Sequence, residues 1–488
     1  MKNLKFYYIL VLLVISCNLV FAQKKLRLED AMDTALKYSP DIQTSRLNME
    51  KNREYLNAQL AALKSRFSLN VTPIRYEKQD VYNNYYSRWY TEENKMAGGG
   101  LIVSQPIKQT DGTLTLRNNF AYQNNYSEAN NSRNKGFNNN LYIEFTQPLF
   151  TYNRTKMNLQ RNQLSLENAT LSYSVQMLNL ERNVTQAFYY IYQKQMALKI
   201  AQEEYENQII SKNIIESKVD AGLSAKEEFV QAELNLATSK SNLDNKRVDL
   251  ENELDQFKIM LGMSIDEDIN VEADVQYKPV IIDMQKAIEN GSKERMEIRQ
   301  RKIDITYAQF DLIQSASTNE FRGDMTLSFG LMGNNEKLAM IYDKPTKSPV
   351  FGITFAIPIF DWGERRARMK AAKAELQTQQ INLKSEQDDI VLNIRKVNRN
   401  LENLIIQIEI AEKNEKNAQL TYEINLERYK NGDLTSMDLN RYQTQLSEKK
   451  MDLSNALINY KLELLNMKIQ SLWDFETNSL VVQDEIEE

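Results

Sequence analysis

Residues 147–222 of this chain are answered, 210 residues later, by residues 357–432, with nothing gained or lost between the anchors. Gln147-Pro148-Leu149-Phe150 meets Ile357-Pro358-Ile359-Phe360, and Gly222 meets Gly432. Between them Asn183/Asn393, Ile200/Ile410, Ala201/Ala411, Asn207/Asn417, Ile214/Ile424 and Lys218/Arg428 keep the offset. Past the glycines Phe229, Leu236, Leu243, Leu250, Leu254 and Phe257 fall on Leu439, Leu446, Leu453, Tyr460, Leu464 and Met467. A unit that ends a strand on a proline, runs out, turns at a glycine and runs back, written twice, predicts two pseudo-symmetric hairpins.

The hairpins are helical. From about Arg154 to Val219, and from about Arg365 to Tyr429, there is neither proline nor glycine. At 1.5 Å per residue each such helix reaches roughly 100 Å. The return helices carry a seven-residue apolar spacing through Leu439, Leu446, Leu453, Tyr460 and Met467, which is a coiled-coil seam. Only 14 glycines and 8 prolines in 488 residues fit extended helices better than several compact domains. The 61 basic and 66 acidic residues are interspersed, so they read as solvated helix faces and give no footprint for nucleic acid.

Each repeat opens with broken helix. Leu28 to about Lys64 is interrupted at Ser39-Pro40, and Asp283 to about Ser315 is expected to break at Asn290-Gly291-Ser292. Aligning Ile42 with Ile298 leaves about 46 extra residues in the first copy, around Val81 to Tyr126. Strands show there by alternation. Leu114, Leu116, Phe120 and Tyr122 alternate with Thr113, Thr115, Arg117 and Asn119, and Leu141, Ile143 and Phe145 with Tyr142, Glu144 and Thr146. The second copy repeats the pattern at Met325, Leu327, Phe329 and Leu331, then at Phe351, Ile353, Phe355 and Ile357. Leu101 to Pro106 adds one more run. Runs of this length suit tilted membrane strands, and Pro148 and Pro358 mark the passage from strand to helix.

A sheet in lipid must close on itself, and one chain holds too few strands to do so. Copies must therefore pool their strands. The chain start agrees with a membrane destination: Lys2 and Lys5, the apolar run Phe6 to Ile15 and the small-residue end at Ala22 form an export signal. Val14-Ile15-Ser16 before Cys17, the only cysteine, makes a weak lipidation box. The expected organisation is a signal peptide over 1–22, a first repeat over 23–275, a second over 276–475 and an acidic tail over 476–488, with Asp266 to Pro279 linking the copies.

Catalysis has little to work with, and no enzyme or cofactor is expected. There is no histidine. Gly98-Gly99-Gly100 lacks the Lys and Ser/Thr of a phosphate loop. Asp266, Asp268 and Asn270 start like a calcium loop, but Val271 stands where glycine is required and Tyr277 where a bidentate Glu belongs.

Together these features resemble the TolC-like outer membrane efflux protein family. The resemblance is carried by Leu28-Glu29-Asp30-Ala31 with Ser39-Pro40-Asp41-Ile42, by the strand ends Gln147-Pro148-Leu149-Phe150 and Ile357-Pro358-Ile359-Phe360-Asp361-Trp362-Gly363, and by the tips Ala221-Gly222-Leu223-Ser224 and Asn431-Gly432-Asp433-Leu434-Thr435. It implies a homotrimer in which each chain gives four strands to a twelve-stranded transmembrane barrel, continued as a helical tunnel in the periplasm. It implies partners as well: an inner-membrane pump, a periplasmic adaptor (membrane fusion) protein and outer-membrane lipid. The tips Gly222, Leu223, Ser224, Gly432, Asp433, Leu434 and Thr435 are then the adaptor-docking surface. Tyr422, Glu423, Glu427 and Arg428, with Asp433, are the candidates for the periplasmic aperture. The expected function is a passive exit duct of a tripartite efflux or secretion system. A dedicated exit for polypeptides and a structural coiled-coil envelope protein are the alternatives.

Overall fold

The computed structural model describes residues 24–273, 275 and 277–481. The expected signal peptide, Cys17 and the last residues of the acidic tail lie outside them. Within the first repeat the chain forms β1 (Lys24–Leu26), α1 (Leu28–Tyr38), α2 (Pro40–Ala62), β2 (Arg66–Asn83), β3 (Arg88–Ile107), β4 (Gly112–Ser127), β5 (Ser132–Leu149), α3 (Arg154–Asp220) and α4 (Lys226–Leu261). After β6 (Ile269–Val271), the second gives α5 (Met284–Glu294), α6 (Met296–Ala316), β7 (Arg322–Asn335), β8 (Thr346–Ala356), α7 (Glu364–Asn431), α8 (Ser436–Ser471), β9 (Trp473–Asp474) and β10 (Ser479–Leu480). The duplicated hairpins are confirmed with near-equal lengths: 67 and 36 residues for α3 and α4, 68 and 36 for α7 and α8.

Two compact units cut across both repeats. One holds residues up to Leu47, Leu171–Arg299 and Lys384 onward, and the other Asn48–Thr170 with Gln300–Leu383. The first is helical. Its main core brings Leu26, Ala31, Ala35 and Ile42 against Val184, Phe188, Ile191, Phe257, Leu261 and Ile269. The stretch read as a linker contributes here, because β6 pairs in parallel with β1, Lys24 opposite Ile269 and Leu26 opposite Val271. The coiled-coil seam is also present, with Leu439, Leu446, Tyr460 and Met467 all buried.

One expectation about the helices fails. No break occurs at Asn290-Gly291-Ser292; α5 runs through it and stops at Arg295, in extended conformation. Gly291 serves packing instead of ending a helix. A Cβ there would stand 2.7 Å from Ile394 Cδ1 and 2.8 Å from the Gln470 carbonyl, so only glycine lets α7 and α8 approach so closely.

The second unit is built on one antiparallel six-stranded sheet in the order β2-β3-β4-β5-β7-β8. The extra residues of the first copy thus add a complete hairpin, and strand structure reaches back to Arg66. Three connections, residues 84–87, 108–111 and 128–131, join strands whose flanking residues pair directly. Their last residues, Ser87, Asp111 and Asn131, have positive φ and close the turns. Pro73 in β2 falls where the register shifts between Thr72 and Arg75, the kind of bulge that tolerates a missing donor.

Candidate channel elements: sheet face, helix joints and hairpin tips

Residues paired directly across antiparallel strands point to the same face. Following one row, Phe67, Val103, Leu116, Ile143 and Phe329 lie opposite one another in turn and end at Pro349. The adjacent row is Arg66, Ser104, Thr115, Glu144, Ser328 and Val350. One face is therefore apolar and the other mostly polar, with Arg117 set 5.5 Å from the Tyr142 ring on the polar side. The apolar face is uncovered: Phe67, Leu69, Val71 and Ile74 are 63–80% exposed, and Phe351 68%. A contiguous apolar sheet face of this extent requires a non-aqueous partner. Aromatic rings border it at both ends, Tyr122 with Phe137 at one (5.2 Å) and Phe150, Phe321 and Phe355 at the other (5.5 Å between neighbouring centroids). Such borders are the girdles of a transmembrane strand band.

The two strand-to-helix joints differ. Pro148 lies inside β5 opposite Asp324, whereas Pro358 follows the end of β8. At the second joint the cap is local, since Asp361 accepts from the amides of Gly363 (2.9 Å) and Arg365 (3.1 Å). These bonds hold its carboxylate below the usual aspartate range. At the first joint a cap comes from the inserted hairpin. Asp111, in the β3–β4 turn, accepts from the amides of Arg154 (3.3 Å) and Thr155 (2.9 Å) and from the Thr155 hydroxyl. Asn153 adds a local cap on Lys156 and donates to the Lys108 carbonyl, while Gln147 donates to that of Thr110. Nothing local in the sequence ties Asp111 to the start of α3, 43 residues further on.

The tips end their helices in the same way. Gly222 (φ +72°) and Gly432 (φ +92°) are left-handed, and the next amide reaches back to Lys218 (2.8 Å) or Arg428 (2.9 Å). This is a Schellman closure at both ends of the 210-residue offset. The helix starts that follow are not equal. Thr435 caps α8 by accepting from the Asp438 amide at 3.2 Å. Its counterpart at the start of α4 is Ala225, which has no side-chain cap, and Ser224 donates to Glu228 instead. Leu223 and Met437 are exposed at the tips, 79% and 70%, while Leu434 packs partly inside.

Beneath the second tip lies a cluster of Ala418, Tyr422, Tyr429, Leu439 and Leu446. Burial pushes the phenols of Tyr422 and Tyr429 up. Tyr429 donates to the Ser211 carbonyl at 3.2 Å, and Lys218 donates to the Tyr429 carbonyl at 2.5 Å with its ammonium 4.9 Å from the ring. One hairpin thus grips the other through Tyr429, which the sequence marks only as the end of the run without glycine or proline. Of the aperture candidates, Tyr422 is inside this cluster, whereas Glu423, Glu427 and Arg428 are exposed on α7. Glu427 pairs with Lys430 at 2.7 Å, and Arg428 donates to Asn425.

Residues 113–262 and 297–468 match the profile of the family described as outer membrane efflux protein. The chain belongs to this family. It is similar to outer membrane protein TolC of Escherichia coli (strain K12), at 22% identity over 369 residues, 73% of each chain. Its fold matches the CmeC outer membrane channel of Campylobacter jejuni, with a TM-score of 0.70 over 94% of this chain and 87% of that one at 15% identity. It also matches the outer membrane protein VceC of Vibrio cholerae, with a TM-score of 0.67 over 91% and 94% of the two chains at 14% identity. The protein is thus an outer-membrane efflux-family chain of the Gram-negative envelope, mainly helical, with a sheet of the kind that contributes to a shared barrel. The family match begins at Thr113, in β4, and leaves β2 and β3 outside it.

Proposed function

We propose that three copies of this chain form the outer-membrane exit duct of a tripartite efflux or secretion assembly. The strands line a shared barrel, the helical hairpins continue it into the periplasm, and an inner-membrane pump supplies the energy. A periplasmic adaptor docks on the tips around Gly222 to Ser224 and Gly432 to Thr435. Glu423, Glu427 and Arg428 restrict the periplasmic end, with Tyr422 supporting them from beneath. The duct itself catalyses nothing and needs no cofactor.

One observation carries this reading: a six-stranded sheet with a bare apolar face and open edges, in a chain whose remainder is long helical hairpins. A structural coiled-coil stalk gives no reason for that face. A dedicated polypeptide exit shares every feature with an efflux duct, since selectivity resides in the pump.

The test is extraction, mass and conductance. The protein should resist salt washing, purify in detergent as a trimer and open ion-conducting pores in planar bilayers. Release by salt as a monomer would overturn the reading. Deleting the gene should raise drug susceptibility for efflux, or deplete one secreted protein for polypeptide export.

A further inference from the structure

We propose that the sheet closes with copies of itself into an eighteen-stranded barrel, in which the free edge of β2 pairs with the free edge of β8 of the next copy. This rests on the trimeric duct proposed above and departs from the twelve strands that the family resemblance implies.

The hydrogen-bond inventory comes first. Within the described sheet β2 and β8 each have one neighbour, leaving one edge of an 18-residue strand and one of an 11-residue strand unpaired. Both strands carry exposed apolar side chains, Phe67 and Leu69 on one and Phe351 and Ile353 on the other. Backbone edges of this kind have no solvent partner in hydrocarbon and must pair with one another. An even number of strands per chain makes β2 and β8 run in opposite directions, so that each new junction is antiparallel like the other five pairings.

The slope of the apolar band agrees. The row of residues that starts at Leu69 ends at Lys347 in β8, but the apolar row of β8 runs from Pro349 to Phe355. The middle of the band has therefore slipped by about five residues over the five steps from β2 to β8. At about 3.3 Å per residue and 4.8 Å per strand this is a tilt of roughly 35°, the tilt of closed barrels. A band level in the bilayer then sets Leu69 of one copy beside Ile353 of the next. Eighteen strands at that tilt enclose a backbone cylinder about 34 Å across, against about 23 Å for twelve.

The hairpin that makes the difference is fastened at its base. Gln105 of β3 donates to the Leu63 carbonyl at the end of α2 (2.8 Å), and the β3–β4 turn caps α3 through Asp111. Gly98 of β3 lies so close to the Phe120 carbonyl of β4 that no side chain fits between them. An arrangement in which β4 instead of β2 met the next copy would have to strip β3 from β4 along its whole length.

Disulfide cross-linking tests the junction, using the polar face. The double variants S68C/T354C, N70C/T354C and T72C/T354C span the registers around Leu69–Ile353, and T115C/T354C and N119C/T354C probe a β4–β8 junction. The native chain, whose one cysteine, Cys17, falls in the expected signal peptide, is the control. Oxidation of the purified detergent particle should give covalent dimers and trimers from at least one β2–β8 pair and none from the β4 pairs. Microscopy of the native particle should show a barrel about 1.5 times as wide as a twelve-stranded one. A trimer that cross-links through β4, or through no β2–β8 pair, or whose barrel has the narrower width, overturns the inference and leaves the duct reading intact. A particle that is monomeric by native mass overturns both.

Discussion

The carboxylate of Asp111 and the amide of Thr155 stand 2.9 Å apart, although 44 residues separate them. The turn of an inserted strand hairpin thereby caps the first long helix. Asp111→Ala should cost about 1 kcal/mol, the usual worth of a helix cap, and Asp111→Asn should keep most of it. Thermal unfolding followed by helical circular dichroism in detergent checks this. An unchanged midpoint in Asp111→Ala would assign capping to Asn153 alone.

The second joint responds to acid. Backbone amides of Gly363 and Arg365 lower the folded pKa of Asp361, so its stabilising contribution is complete above the unfolded aspartate pKa of about 3.9. That contribution disappears as pH falls through the folded value. Thermal midpoints measured from pH 6 downward should fall less steeply below about pH 4 in Asp361→Asn than in the native protein. Parallel slopes would contradict the linkage.

Gly291→Ala puts a methyl group 2.7 Å from Ile394 Cδ1 and 2.8 Å from the Gln470 carbonyl. The clash should outweigh the helix propensity gained and destabilise the helical unit by about 1–3 kcal/mol. Gly352→Ala, where nothing among the described residues of the same chain lies within 4 Å, is the control. Denaturant midpoints of the two variants make the comparison.

Tyr429→Phe keeps the ring in its cluster and removes the bond to the Ser211 carbonyl. The expected cost is about 1 kcal/mol, with the local loss visible as faster amide exchange around the second tip. Exchange accelerated equally along both hairpins would point to a global effect instead.

Docking should depend on the exposed tip residues and not on their buried neighbour. Leu223→Asp and Met437→Asp should leave the purified oligomer unchanged and abolish efflux in cells, because both side chains are largely exposed within the chain. Leu434→Asp should lower thermal stability as well, because Leu434 packs against the Tyr422 and Tyr429 cluster. Wild-type drug resistance in the first two variants would remove the tips from the docking surface.

Much of this architecture was legible because it is periodic. The run without glycine or proline located the ends of α3 and α7 within about two residues, and the 210-residue offset with the seven-residue spacing placed α4 and α8 after Gly222 and Gly432. Alternation found β4, β5, β7 and β8, where apolar and polar side chains change strictly. It did not find β2 as a strand, because the bulge between Thr72 and Arg75 shifts the alternation by one residue midway. Gly291 was misread because a glycine that ends a helix and one that admits a neighbouring helix look alike without the neighbour. Asp111 and Tyr429 act across tens to hundreds of residues, a distance at which no local pattern speaks.

Thr435 has Ala225 as its counterpart, so the two halves of the duplication no longer carry equal ends. Three chains would then offer a ring of six landing places in two alternating kinds. A partner that surrounds such a ring cannot make six identical grips. It must come in threes, or in sixes whose members have learned to tell odd seats from even ones.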